Sequence, residues 1–213
     1  MTVALNKTDK ATQILNGALQ EFLAHGYAGT SMDRVAATAG VSKPTVYNHF
    51  QDKEGLFRAL VQKIARERFQ IKFNSEVCSG KPEESLPRLL TSMVTTISDD
   101  DDYQDFVRLV IGESGRFPEL ARTFVTYLAK PGLQQMQDYL EQHPEFRFAD
   151  SQAIAQIILG SAVYMCLTQC ILHGHDIMPL SKENYIDAMV RLMLNSALSE
   201  AAQASSSEVT ASA

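Results

Sequence analysis

Residues 30–50 read TSMDRVAATAGVSKPTVYNHF, and their chemistry-bearing side chains are mostly of one kind. Thr30, Ser31, Ser42 and Thr45 carry hydroxyls, Lys43 a cation, Tyr47 a phenol, Asn48 an amide and His49 an imidazole. Lys53 follows as a second cation. Hydroxyls, amides and cations at this density suit contacts to an anionic backbone and to base edges. The whole chain looks like a poor partner for an anion, because 19 Lys+Arg face 25 Asp+Glu for a net charge of −6. The charge is unevenly spread, however. Residues 1–70 hold nine basic and six acidic side chains, a net of +3, and residues 71–213 hold ten and nineteen, a net of −9. A mildly basic head is joined to an acidic body.

A second constellation is Cys166, Cys170 and His173, at i, i+4 and i+7. On one helix face that spacing makes a thiol or metal site. The alternative is small residues buried in a helix interface. No glycine-rich phosphate loop, HExxH or nucleophile elbow is present, so neither enzymatic activity nor a cofactor is expected. The three cysteines, Cys78 among them, are too few for a disulfide framework. The N-terminus lacks a basic stretch followed by an apolar run. Both features lead us to expect a cytoplasmic protein.

The elements that must hold the first constellation can be read locally. Thr30 and Asp33 form a capping-box-like pair. Met32, Val35, Ala36 and Ala39 make one apolar face of a short helix, and Gly40 supplies the turn after it. Ser42 caps a second helix with Pro44 in its first turn, where a missing N–H costs nothing. Val46 and Phe50 point inward, which leaves Lys43, Thr45, Tyr47, Asn48 and His49 on the other faces. This is either an ordinary helical hairpin or a helix-turn-helix, whose second helix enters the major groove by its N-terminal end.

Apolar spacing elsewhere is helical nearly throughout, which predicts an all-α fold of about nine helices. Ile14 to Leu23 form a stripe that Gly26 stops. Leu86–Ile97, Tyr103–Ile111 and Leu120–Leu128 form others, and Pro131-Gly132 should kink the third. Ala153–Leu172 is uncharged for 20 residues, the length of a bilayer span. Its glutamines and the lack of flanking basic clusters point instead to a helix buried against protein on nearly every side, and not to a membrane partner. The tail 199–213 is expected to be disordered.

Several short stretches carry a resemblance. They are Gly26-Tyr27, Thr30-Ser31, Ala36-Ala37, Ala39-Gly40-Val41-Ser42, Thr45-Val46-Tyr47, His49-Phe50 and Lys53-Glu54-Gly55-Leu56. Over residues 8–68 the chain closely resembles the DNA-binding domain of TetR-family transcription regulators. Residues 108–124, RLVIGESGRFPELARTF, resemble the ligand-binding half of an AcrR-like subset. The resemblance implies a homodimeric regulator of operator DNA, usually a repressor. Its DNA-binding domain would span 8–68, with the motif at 31–50, and its ligand-binding and dimerisation domain 69–198. It implies that Lys43 and Thr45 face bases or nearby phosphates. Tyr47 and His49 would grip the sugar-phosphate backbone, with the Lys53 amine on a phosphate. Thr30 and Ser31 would donate to phosphate, and Asn48 would tune sequence choice. A bracing role for His49 inside the head remains open.

The body should hold a small apolar effector of unknown identity. Phe106, Val110, Phe117, Phe124, Tyr127 and Tyr164 are the candidate lining, with Tyr103, Arg108, Glu113 and Gln169 as orienting polar groups. The bland alternative is that all are plain core. Dimerisation should use 151–172 and 182–197, through Ala155, Ile158, Gly160, Ala162, Met165, Met189 and Met193. A constitutive regulator, or one sensing oxidants or metal through Cys166, Cys170 and His173, is the alternative to effector release.

Overall fold

The computed structural model describes residues 2–70, 75–146 and 148–195, and every regular element among them is helical. The elements are α1 Thr2–Gly29, α2 Met32–Thr38, α3 Lys43–Phe50, α4 Lys53–Ala65, α5 Ser75–Cys78, α6 Pro82–Ser98, α7 Asp101–Glu113, α8 Pro118–Phe124, α9 Lys130–Gln142 and α10 Ser151–Cys166. Residues 182–195 form α11. Counting 118–142 as one helical run and setting aside the single turn α5, nine helical runs are present among the described residues, as the periodicity predicts. The 199–213 tail lies outside the described residues.

Local signals set most boundaries. Gly26 breaks α1 at φ 68°, ψ 173°, a conformation open essentially to glycine alone. Ser42 caps α3 with Pro44 in its first turn, Asp52 caps α4, Asp150 caps α10 and Ser181 caps α11. Pro118 opens α8. At Pro131 the expected kink takes a milder form. A π turn, Val125–Ala129, precedes the proline, and the Lys130 N–H reaches the Val125 carbonyl five residues back. Pro131 has no N–H to place in the ladder, and widening the turn before it lets helix resume. The capping box also differs from expectation. Ser31, not Thr30, caps α2 by accepting from Arg34 N–H.

Packing divides the chain into two compact units. The first takes the described residues of 2–67 and 101–130. Its core runs through Ile14, Phe22, Val35, Val46, Leu56, Phe57, Leu60 and Phe106. An aromatic series threads it: Phe22 stacks on Tyr27, both meet Phe57 edge-on, Phe57 stacks on Phe106, and Phe117 meets Tyr27. Helices α7 and α8 therefore pack onto α1 and α4.

The second unit takes the described residues of 68–100 and 131–195. Leu86, Leu89, Leu90, Met93, Met136, Tyr139, Ala155, Ile158 and Ala162 fill it. Asp99 and Asp100 belong here. Asp100 pairs with Arg68, and Asp99, which stays exposed, pairs with Lys182. Within a single chain, helix α10 meets the expected burial only in part. The helical stretch Ser151–Ile171 has a mean hydropathy of 1.7, yet only 33% of it is buried. The helix is not covered on nearly every side by its own chain.

Candidate nucleic-acid interface

Helices α2 and α3 are held at a fixed angle by a glycine turn and by α1. Gly40 takes φ 62°, and the Val41 N–H bonds the Ala36 carbonyl. Gln13 of α1 donates to the Ala39 carbonyl at 2.7 Å. A Cβ on Gly17 would approach Ala39 at 3.0 Å, so the end of α2 rests directly on the α1 backbone. At the head of α3 the Ser42 hydroxyl accepts from Thr45 N–H and bonds the Thr45 hydroxyl at 2.7 Å. Val46 is buried, and Lys43, Pro44, Tyr47 and Asn48 are exposed. Tyr47 keeps a phenol 41% open to solvent.

The expected residues separate into two groups. Ser31, Ser42, Lys43, Pro44, Tyr47 and Asn48 lie on the open face, with Thr45 half-buried beside them. His49 is also half-buried, its ring 5.8 Å from that of Phe50, in keeping with a bracing role as well as an external one. Thr30 and Lys53 turn inward. Thr30 is 2% exposed, and its hydroxyl bonds the Glu21 and Gly26 carbonyls. The Lys53 amine donates to the Tyr27 and Thr30 carbonyls at 2.8 and 3.0 Å and lies over the Tyr27 ring. Burial pushes this amine below the usual lysine range, partly opposed by Glu113. These two side chains satisfy the broken end of α1 instead of facing outward. Three charged neighbours were not legible as part of this face. Arg34 and Arg58 are exposed, and Asp33 pairs with Lys43 at 2.7 Å. Arg58 also lines an open groove of about 380 Å³ with His49, Gln51, Gln62 and Tyr127.

The family model described as "Bacterial regulatory proteins, tetR family" matches residues 14–60. That described as "AefR-like transcriptional repressor, C-terminal domain" matches residues 84–196, more than half of the chain. The chain belongs to the TetR family.

Among curated TetR relatives, the chain is 43% identical over 53 residues to the transcriptional repressor AcnR of Corynebacterium diphtheriae, covering 25% of this chain and 28% of that one. It is 38% identical over 72 residues to the repressor ComR of Escherichia coli K12, covering 33% and 34%. The matches thus span about a third or less of these relatives' length. The solved structure of the flavonoid-responsive regulator FrrA superposes with a TM-score of 0.69 at 27% identity, covering 92% of this chain and 97% of that one.

The other expected sites of this TetR chain are rearranged. Of the effector candidates, Tyr103, Phe106, Arg108, Val110, Glu113, Phe117, Phe124 and Tyr127 belong to the first unit, and Tyr164 and Gln169 to the second. Tyr103, Phe106 and Val110 are core, and Phe124 lies 6.5 Å from the Phe106 ring. Phe117 packs on Tyr27, and Arg108 pairs with Asp105. The Glu113 carboxylate accepts the Tyr27 N–H at the Gly26 break at 3.1 Å through one of its two oxygens. Gln169 is likewise engaged, donating to the Met178 carbonyl and accepting the Leu180 N–H.

Of the expected interface residues, Ala155, Ile158, Ala162, Met165, Met189 and Met193 are buried within the single chain, and Gly160 alone is exposed. A helix apolar all round gives no phase, and packing against α6 turned the small residues inward.

No group of three or more His, Cys, Asp or Glu side chains able to hold a metal is present among the described residues. Burial pushes the Cys166 thiol up to about 12, away from the reactive thiolate that sensing requires. Burial also pushes the Tyr139 phenol up to about 12, against the opposing pull of its hydrogen bond with Ser85. Both groups are neutral when protonated, and both are raised above ordinary values of 9.0 and 10.0. The unfolded chain therefore loses these protons first, and stability falls as pH rises from about 9 towards 12. Denaturant unfolding at stepped pH should show a plateau below pH 9 from these groups and a decline above it. Cys166→Ala should make the decline above about pH 9 shallower without abolishing it, because burial also raises Cys78, Tyr27 and Tyr185 alongside Tyr139.

Proposed function

We propose that this chain is a homodimeric transcriptional repressor that binds operator DNA through α2 and α3 and is released by a small apolar effector. The DNA-binding domain is taken as 8–68 and the effector and dimerisation domain as 69–198. The observation that carries the reading is the exposed face of α3. Ser42, Lys43, Pro44, Tyr47 and Asn48 stand open at the end of a helix whose opposite side is anchored by Val46. A helix presented this way by a second, bracing helix fits the major groove.

A second copy is supported by the apolar side chains that one chain leaves uncovered. Ile157, Val163 and Tyr164 on α10 and Leu192 on α11 are each more than half exposed. The effector reading is supported by the printed description of FrrA as flavonoid-responsive. It is also supported by the aromatic series that joins Phe106 and Phe124 to Phe57 of α4. Releasing DNA by moving a population from 99:1 to 1:99 takes about 5.5 kcal/mol of differential effector binding.

The test is selection of duplexes from a random pool, followed by titration of the enriched duplex. Wild type should enrich one sequence class. Tyr47→Ala should weaken binding to that duplex about tenfold, the scale of one lost packed contact, without lowering the melting temperature. Failure to enrich any sequence removes the DNA-binding reading. If a panel of flavonoids and other aromatic compounds neither raises the melting temperature nor weakens the complex, a constitutive repressor remains.

A further inference from the structure

The cation at the head of α3 is not presented bare. Lys43 Nζ lies 2.7 Å from Asp33 Oδ2, and both side chains are more than half exposed, at 56% and 58%. Asp33 stands in the first turn of α2, and Lys43 is the first residue of α3. The pair therefore bridges the two helices of the motif across its turn. It sits beside the Ser42–Thr45 hydroxyl pair, on the open face. An exposed pair of this kind adds little to stability. Its placement has an electrostatic meaning, because a carboxylate on a surface meant for a polyanion opposes binding.

We infer that Asp33 is a specificity-determining positioning residue: it holds the Lys43 amine and neutralises it towards phosphates, so that Lys43 contributes to cognate DNA and little to any other. The inference rests on the DNA-binding reading. A lysine ammonium carries three N–H donors. One is spent on Asp33, which leaves two for acceptors on a base edge such as guanine O6 and N7. Those contacts form without breaking the pair. A phosphate met in random register gains much less, since the cation it meets is already matched by a negative charge. Asp33 thus lowers non-specific affinity more than specific affinity and widens the ratio between them. The sequence-independent part of binding comes from cations that neutralise phosphates and release counterions. Asp33 withdraws one such cation per head.

The experiment titrates wild type, Asp33→Asn, Lys43→Met and the double variant against two duplexes over a range of salt. One duplex is enriched from a random pool by wild type, and the other is a scrambled version of equal length. Asp33→Asn should steepen the slope of log K against log salt on the scrambled duplex by about 0.9 per head, or about eightfold tighter binding per head at 0.1 M salt. Its affinity for the enriched duplex should rise less, so the specificity ratio falls. In the Lys43→Met background the same substitution should leave the slope unchanged.

If Asp33→Asn leaves slope and ratio at wild-type values, the inference is overturned while the DNA-binding reading stands. If it steepens the slope equally with Lys43→Met, Asp33 acts by plain repulsion and the positioning role is overturned. If wild type enriches no duplex, both fall together.

Discussion

Gly55→Ala is expected to unfold the DNA-binding head near ordinary growth temperatures, although it adds a single methyl group. A Cβ at position 55 would lie 2.4 Å from the Phe50 carbonyl oxygen and 3.3 Å from Asp52 Oδ1. The first of these atoms is backbone and has no rotamer to swing away. It is already engaged, accepting the Asp52 N–H at 2.7 Å. The Gly55 N–H is bonded to Asp52 Oδ1 at 2.7 Å, so the first turn of α4 cannot move off without losing its cap. Overpacking of this kind costs about 3 kcal/mol or more, a large share of the stability of a small domain. The melting temperature should fall by roughly 12 °C or more. A variant that melts with the wild type would show that the joint between α3 and α4 can yield, and the reading of the junction as rigid would go.

Ile157→Arg is expected to abolish operator binding from a distance. Position 157 is 59% exposed, so the chain folds around the arginine without strain. In a dimer that covers α10, the same arginine is an unpaired buried charge costing about 3–5 kcal/mol. The dimer constant should weaken by about 10² to nearly 10⁴-fold, and binding to a two-fold operator should fall with it. Light scattering should find monomers, with the helical signal and melting of the single chain retained. A stable dimer of this variant would move the interface elsewhere. Ala162→Arg, the substitution that sequence alone suggests, is the wrong probe. Ala162 is 1% exposed within one chain, so the variant destroys the second unit whether or not the protein dimerises.

These two positions mark what was legible and what was not. The stop at Gly26, the turn at Gly40, the caps at Ser42 and Ser181 and the proline starts at Pro44 and Pro118 depend on neighbours within a few residues, and the sequence shows those neighbours. Thr30 and Ser31 are adjacent hydroxyls of equal chemistry. Which one caps α2 was decided by the Glu21 and Gly26 carbonyls, brought close only by the folded α1. Lys53 looked like an external cation because the carbonyls it serves lie 26 and 23 residues back. Glu113 is 86 residues from the N–H it accepts. For α10 the obstacle was different. An evenly apolar helix carries no record of which side faces its own chain and which is left for another.

The turn between α3 and α4 has a mechanical consequence. Gln51 holds φ 64° and ψ −57°, and the Asp52 N–H closes onto the Phe50 carbonyl. This is a three-residue γ-turn, a strained and inextensible knuckle. With Gly55 wedged against the same carbonyl, the two helices have no slack between them. Helix α3 is then a lever arm fixed to the shaft of α4. Its eight residues reach about 12 Å from the knuckle, so turning the shaft by about 10° sweeps the far end through about 2 Å. That far end carries Lys43. A displacement of this size exceeds the tolerance of a bidentate hydrogen bond, and a small torque on α4 is enough to disengage the tip from a base edge.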